Sequence, residues 1–127
     1  MNLEKVIFAF FIVFALTLNF GFFIGEMENP NHHHIYELFA AMVISLIATI
    51  MKLGDRSHMG AVLLATSLVA DLHLIAAALV WGYAEHISSS GLTPGMMSTI
   101  VSLSGGALLA NITSTVLFVS ETIVVRR

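Results

Sequence analysis

The chain has 127 residues, of which 57% are hydrophobic and only 10% are charged, whereas soluble domains carry about 25% charged residues. So few charges would leave most of a soluble protein's surface apolar, which argues against a soluble globular domain. The net charge of -3 with five basic residues gives no basic patch for nucleic acid, and the absence of cysteine excludes disulfides and thiolate metal sites. The composition therefore indicates a membrane protein surrounded by lipid.

Four apolar windows are long enough to cross a bilayer at about 20 residues per helix. The first is too long for a secretory signal and lacks a small-x-small cleavage site. We therefore predict an all-α integral membrane protein, a single four-transmembrane-helix bundle that forms one domain over residues 1–127. The predicted spans are Val6–Gly25, Ile35–Leu53, Met59–Ala84 and Gly95–Val119.

The connections between these spans contain helix-capping residues. Asn29–Pro30 and Thr93–Pro94 each place a capping side chain before a proline, so they predict the starts of the second and fourth helices. In the second connection, Gly54 follows the end of a span as a C-terminal cap would, and Asp55 or Ser57 can cap the next helix. The second and third helices should then be antiparallel neighbours.

The basic residues indicate the orientation of the chain in the membrane. All five lie at the N-terminus, in the second connection or at the C-terminus, whereas the first and third connections carry acidic residues only. We expect both termini in the cytoplasm and the histidine-rich first connection outside. The five residues are Lys5, Lys52, Arg56, Arg126 and Arg127.

The third span carries ionisable residues inside the bilayer. At 100° per residue, Thr66, Ser67, Asp71 and His73 fall on one small, polar face, and leucines occupy the opposite face. An ionised carboxylate at the midpoint of a span costs about 2.5–3.5 kcal/mol on insertion scales, so Asp71 needs a partner or is neutral. Asp71 and His73 are two positions apart and should face different neighbours. Both are candidates for proton exchange; alternatively, each is a structural hydrogen-bonding group.

The fourth span presents a second small, polar face that includes Ser104, Asn111 and Ser114. Asn111 lies near mid-span, and its carboxamide could bond to Asp71 in either protonation state of the acid. Alternatively, this face serves only helix packing. Weaker polar positions, which we interpret as packing contacts, are Ser45 and Thr49 in the second span and Asn19, alone, in the first.

The first connection combines histidines with acidic residues. If the second helix begins at Pro30, then His33, His34 and Glu37 lie near one another, and imidazole with carboxylate is chemistry that suits zinc. Three consecutive histidines point in three directions, however, so they cannot all bind one ion. The alternatives are a pH-responsive vestibule and a solvated helix end.

Three segments, YELFAA from Tyr36, MKLGDRS from Met51 and LLATSLVADL from Leu63, resemble a group of small bacterial inner-membrane proteins of unknown function. The resemblance spans Tyr36 to Trp81. It implies a four-span protein of the bacterial inner membrane and carries over no site residue.

Two functions fit these features. The first is a homo-oligomeric channel or transporter-like protein for a cation or proton; the second is an accessory or scaffold subunit that binds a larger membrane-protein complex through the same small polar faces. The sequence contains no phosphate loop, HExxH motif or GxSxG motif, so we predict neither enzymatic activity nor a cofactor. The residues predicted to line or gate an ion path are Asp71, His73, Asn111, Thr66, Ser67 and Ser104.

Overall fold

A computed structural model of the protein describes residues 3–26, 28–55 and 57–125, the side chains of residues 122, 124 and 125 excepted. Over these residues the chain forms four α-helices, each long and apolar enough to cross a membrane. This confirms the predicted all-α, four-span fold and indicates a multi-pass membrane protein. The helices are α1 (Leu3–Phe23), α2 (Ile35–Lys52), α3 (His58–His86) and α4 (Pro94–Val125), and a short 3-10 turn covers Pro30–His32.

Two of the predicted helix starts are confirmed by their caps. Ser57 Oγ accepts the Gly60 N–H at 2.9 Å, and Thr93 Oγ1 accepts the Met96 N–H at 3.1 Å. Each side chain thereby satisfies one of the free N–H groups of the first helical turn. Gly54 is not the left-handed C-cap that the sequence suggested, because the glycines with positive φ are Gly25 and Gly91.

The first connection differs from the prediction. Asn29 accepts the Asn31 N–H at 2.9 Å and so caps the 3-10 turn rather than α2. His33 and His34 are extended, and α2 begins only at Ile35. The side chain of His33 explains the delay, because it bonds back to the end of α1 and holds the chain away from helical geometry.

The four helices are arranged as a ring. In the main contacts, α1 packs on α2 and α4, and α3 packs on the same two helices. The Lys5 ammonium lies 3.8 Å from the Glu121 carboxylate, so the start of α1 and the end of α4 lie at the same end of the bundle. Three of the basic residues used to predict orientation, Arg56, Arg126 and Arg127, lie outside the described residues.

Two apolar clusters fill the ends of the bundle, and buried polar side chains lie between them. One cluster is built around Phe22, Leu74 and Met97, and the other around Phe8 and Leu63. Several of the buried polar positions, such as Ser45, Ser67 and Asn111, fall between residues of the two clusters, and the others adjoin one cluster. We call these residues the central polar layer: Asn19, Ser45, Thr49, Ser67, Asp71, Ser104, Asn111 and Ser114.

The outside of the bundle is apolar where a membrane would surround it. Leu68, Leu72 and Leu79 are 51%, 68% and 70% exposed, which confirms the predicted lipid-facing side of α3. Phe10 and Phe20 are exposed on α1 in the same way.

Candidate functional site

Asp71 is buried in the central polar layer and is bound by side chains of α2. Only 4% of the residue is exposed. Ser45 Oγ donates to Asp71 Oδ1 at 2.6 Å, and Thr49 Oγ1 lies 2.5 Å from Asp71 Oδ2. Because Ser45 and Thr49 are four residues apart, they project from the same face of α2. Each is hydrogen-bonded to one of the two carboxyl oxygens.

The Thr49 hydroxyl has two possible acceptors but only one proton to donate. Its oxygen also lies 3.0 Å from the backbone carbonyl oxygen of Ser45. If Asp71 is ionised, both hydroxyls donate to the carboxylate. If Asp71 is protonated on Oδ2, that O–H can donate to Thr49, whose own proton turns to the Ser45 carbonyl. Every polar atom of the carboxyl group keeps a partner in both states, so Asp71 can gain or lose a proton without movement of the helices.

Among the residues that the structure describes, no basic side chain forms an ion pair with Asp71. Within the described parts of the chain, the ion pairs join Lys5 to Glu121 and Lys52 to Asp55, both near helix ends. The side chain of His73 bonds elsewhere. An ionised carboxylate is costly at this depth, so the hydrogen bonds from Ser45 and Thr49 are the contacts that make the carboxyl group tolerable there.

A second polar cluster joins α1 to α4. With the Asn19 carboxamide oriented by its neighbours, its nitrogen donates to the Ser104 carbonyl oxygen at 3.0 Å. Its oxygen accepts the Asn111 amide at 3.1 Å and the Leu108 N–H at 3.0 Å. Asn19 is therefore a packing contact between α1 and α4, as predicted, and Asn111 bonds to Asn19 rather than to Asp71.

A third set of contacts joins α3 to α4. The hydroxyls of Thr66 and Ser114 are hydrogen-bonded to each other. His73 Nδ1 donates to the Val69 carbonyl oxygen at 2.9 Å, and the ring lies against Gly106, where an added Cβ would be 2.6 Å from His73 Cδ2. As predicted, Asp71 and His73 face different neighbours: Asp71 faces α2 and His73 faces α4.

Of the six residues predicted to form an ion path, Thr66 and His73 are partly exposed and the other four belong to the central polar layer. Their contacts divide among three helix pairs. Ser67 is buried one turn before Asp71, and Ser104 donates to the carbonyl of Val101 at 2.8 Å. The buried polar side chains among the six pack on neighbouring helices of the same bundle.

A family model matches residues 32–122, which is most of the chain. The chain belongs to a family of unknown function, DUF6394. All three segments on which the resemblance to small membrane proteins was based lie within the match. No curated protein and no solved structure matches the chain. The matched region of this DUF6394 member contains Asp71, Ser45, Thr49 and Asn111, whereas Asn19 lies before it.

The residues predicted to bind a metal do not converge. His33 is 2% exposed and both its ring nitrogens are hydrogen-bonded to backbone carbonyls, so neither offers a lone pair to a metal. His34 is exposed at the N-cap of α2, while the Glu37 carboxylate packs over Gly21 of α1. Over the described ranges there is no group of three potential ligands. The prediction failed because it assumed that the helix starts at Pro30.

Sequence reasoning missed the partners of Asp71 and Asn111. Ser45 and Thr49 were visible as a polar stripe on α2, and their i, i+4 spacing opposite a span with a mid-membrane acid was the available signal. Asn19 carried a weaker signal, a lone carboxamide in an otherwise phenylalanine-rich helix. A carboxamide buried in a membrane helix needs a hydrogen-bonding partner. That requirement could have suggested a contact with Asn111, the carboxamide of the fourth span.

Proposed function

We propose that this protein is a homo-oligomeric, transporter-like membrane protein that carries a cation across the bilayer, and that the cation is a proton. Asp71 is the group that binds and releases it. The observation that supports this role is the position of the Asp71 carboxyl, which is buried at mid-span, is held by Ser45 and Thr49 and has no basic partner among the described residues. Ionisable residues at this depth are a default indication of an ion or proton pathway.

The hydroxyl partners favour a proton over a metal cation. A metal ion at Asp71 would need free lone pairs on the carboxyl oxygens. Both oxygens are already hydrogen-bonded to the hydroxyls of Ser45 and Thr49. A proton needs only the rotation of one hydroxyl. The site therefore provides two states, charged and neutral, that differ little in structure.

The remaining polar residues have separate roles in this proposal. Ser67 lies one turn from Asp71 on the same side of α3, and Thr66 and Ser114 continue the polar contacts toward the end that carries Lys5. His73 lies on the other side of α3, partly exposed, and is placed to accept a proton beyond Asp71. Asn19, Asn111 and Ser104 hold α1 on α4.

The proposal includes the cellular setting derived from the sequence. The resemblance to small bacterial inner-membrane proteins is the reason for placing the protein in that membrane. The five basic residues, which the sequence places on one side, are the reason for placing both termini in the cytoplasm. A single four-helix bundle fills its centre with side chains, so a path from water to Asp71 requires either association of copies or a cleft beside α3.

Proton flux into liposomes tests the proposal. The full chain would be reconstituted with a pH-sensitive dye inside, and an imposed pH gradient or voltage would drive uptake. We expect flux by the unaltered protein and background flux for Asp71→Asn, whose carboxamide can still bond to both hydroxyls but cannot release a proton. Glu85→Gln, an exposed acid near the end of the same helix, is the matched control and should retain flux.

The outcome separates transport from a purely structural role. Flux in Asp71→Asn equal to that of the unaltered protein would overturn the role of Asp71. The second candidate, an accessory or scaffold subunit, is supported by the fact that the Asp71 bonds also fix α3 to α2. Absence of flux in the unaltered protein at any pH, together with stoichiometric co-purification of one other membrane protein, would favour that candidate.

A further inference from the structure

The imidazole of His33 links the first connection to the end of α1. His33 Nδ1 lies 2.5 Å from the Phe22 carbonyl oxygen, and Nε2 lies 2.8 Å from the Glu26 carbonyl oxygen. The residue is 2% exposed, and its ring packs beside the ring of Phe22 with centroids 5.5 Å apart. Both nitrogens therefore face acceptors in a site that excludes water.

The two acceptors determine how many protons the ring must carry. A backbone carbonyl can only accept, so each nitrogen must bear a proton to make its bond. A neutral imidazole has one N–H and would direct a lone pair at the second carbonyl. We infer that His33 is a proton-binding site, and that its imidazolium form caps the C-terminal end of α1.

The end of α1 suits a cation. The last turn of α1 contains no basic residue, and its carbonyls lack helical partners. Ile24 N–H bonds to the Phe20 carbonyl, and Gly25, with φ of 109°, turns the chain back so that His33 can reach Phe22 from eleven positions later. The partial negative charge at a helix C-terminus stabilises a nearby cation.

The neighbouring histidine has the opposite requirement. His32 Nδ1 accepts the Glu26 N–H at 2.9 Å, so this nitrogen must be free of a proton. The Glu26 backbone thus donates to one ring and accepts from the other. The connection is intact when His33 is charged and His32 is neutral, and gain of a proton by His32 or loss of one by His33 breaks a bond.

Other charged groups near the connection do not replace these bonds. Titratable residues at this end of the bundle belong to the connection itself, to the first turn of α2 and to the last turn of α3, and within the described segments none forms an ion pair with His33. On α1 and α4 the described charged side chains belong to Glu4, Lys5 and Glu121, all at the opposite end. The neighbouring titratable groups are Glu26, Glu28, His32, His34, Glu37, Glu85 and His86.

The direction of the pH response follows. When pH rises far enough to remove the His33 proton, one carbonyl loses its donor, and the connection should loosen from α1. At lower pH the His33 imidazolium keeps both bonds to the carbonyls, and the bond that is lost when His32 gains a proton is the separate one from the Glu26 N–H. Phe22 also contacts Trp81 of α3. Loosening of the connection from Phe22 should therefore also loosen the packing at that end of the bundle.

Nitrogen NMR of the histidine rings tests this inference. The full chain, labelled with ¹⁵N-histidine, would be placed in lipid nanodiscs and titrated, with ring signals assigned by His33→Gln and His34→Gln. We expect two protonated ring nitrogens on His33 at a pH at which exposed His34 is already neutral. A neutral His33 with a single N–H at that same pH would overturn the inference.

Amide hydrogen exchange gives a second readout that a merely structural role would not produce. We expect exchange across residues 22–34 to accelerate as pH rises, beyond the intrinsic dependence of exchange on pH. His33→Gln should remove this extra dependence, since glutamine does not titrate, and His34→Gln should keep it. An unchanged dependence in His33→Gln would also contradict the inference, and either result is independent of transport.

Discussion

The α2–α3 and α1–α4 contacts both bury polar side chains in the middle of the bundle, but only one of them can change its charge. Asp71 lies between two hydroxyls, Ser45 and Thr49. Asn19 and Asn111 bond to each other and to the backbone of α4. The first cluster contains a group that titrates, while carboxamides keep the second neutral at any pH.

The difference shows how a membrane bundle can combine rigidity with exchange. Interhelical hydrogen bonds in membranes stabilise by about 0.6 kcal/mol on average and by up to about 1.7 kcal/mol, so both clusters contribute modestly to packing. The carboxamide cluster fixes α1 on α4 in a single pattern of donors and acceptors. The carboxyl cluster allows two patterns, because a hydroxyl can turn without moving its helix.

The largest expected effect on stability comes from placing an acid in the carboxamide cluster between α1 and α4. Asn111→Asp would place a carboxyl group beside Asn19, where no pair of hydroxyls donates hydrogen bonds to it as Ser45 and Thr49 do to Asp71. We expect the free energy of unfolding to fall by about 2.5–3.5 kcal/mol at a pH where this acid must ionise, and much less where it stays protonated. Thermal unfolding in detergent at acidic and alkaline pH would measure the difference.

The unaltered protein and Asn111→Ala serve as controls for Asn111→Asp. The alanine variant removes the bond to Asn19 without adding a titratable group, so its loss of stability should be the same at both pH values. Equal loss in Asn111→Asp at both pH values would contradict the idea that titration distinguishes the two clusters.

A smaller effect is expected from Thr49→Val, which removes one of the two hydroxyls that bind Asp71 with little change of shape. The lost hydrogen bond should reduce the free energy of unfolding by about 0.5–1.5 kcal/mol. Thr113→Val is the matched control, since Thr113 is exposed and bonds only to the Leu109 carbonyl at 2.9 Å. A loss that is the same for both variants would argue against a special role of Thr49.

Hydropathy and helical periodicity were sufficient to predict the four spans and the lipid-facing side of α3. They depend on which residues are apolar and on a repeat of 3.6 residues, both of which are local properties. The same reasoning identified Asp71 as the unusual residue. The caps at Ser57 and Thr93 were also predictable, because a cap bonds within its own turn.

The partners of the polar residues could not be predicted in the same way. Periodicity indicates which side of α3 carries Asp71, but not whether α2 or α4 lies against that side. The bond from Asn19 to Asn111 joins the first helix to the last, and the 3-10 turn depends on His33 reaching Phe22. These contacts follow from tertiary packing, which one sequence window does not contain.

The smallest expected effect concerns Asp55, which has ligands like those of Asp71 but lies at the surface. Hydrogen bonds from the Ser57 side chain and backbone hold the pKa of Asp55 below its usual range, with a smaller contribution from Lys52. Because the pKa is lowered in the folded state, the ionised acid stabilises the fold at pH values above its ordinary pKa. This stabilisation is lost as pH falls through the lowered pKa. Water and salt screen the group, so Asp55→Asn should only flatten the acid side of a plot of unfolding temperature against pH.

The Ser57→Ala control should lower the unfolding temperature at every pH, because it removes the cap of α3 as well. An acid slope in Asp55→Asn as steep as in the unaltered protein would show that hydroxyl ligands alone do not make a carboxyl of this protein pH-sensitive, and would weaken the same argument for Asp71.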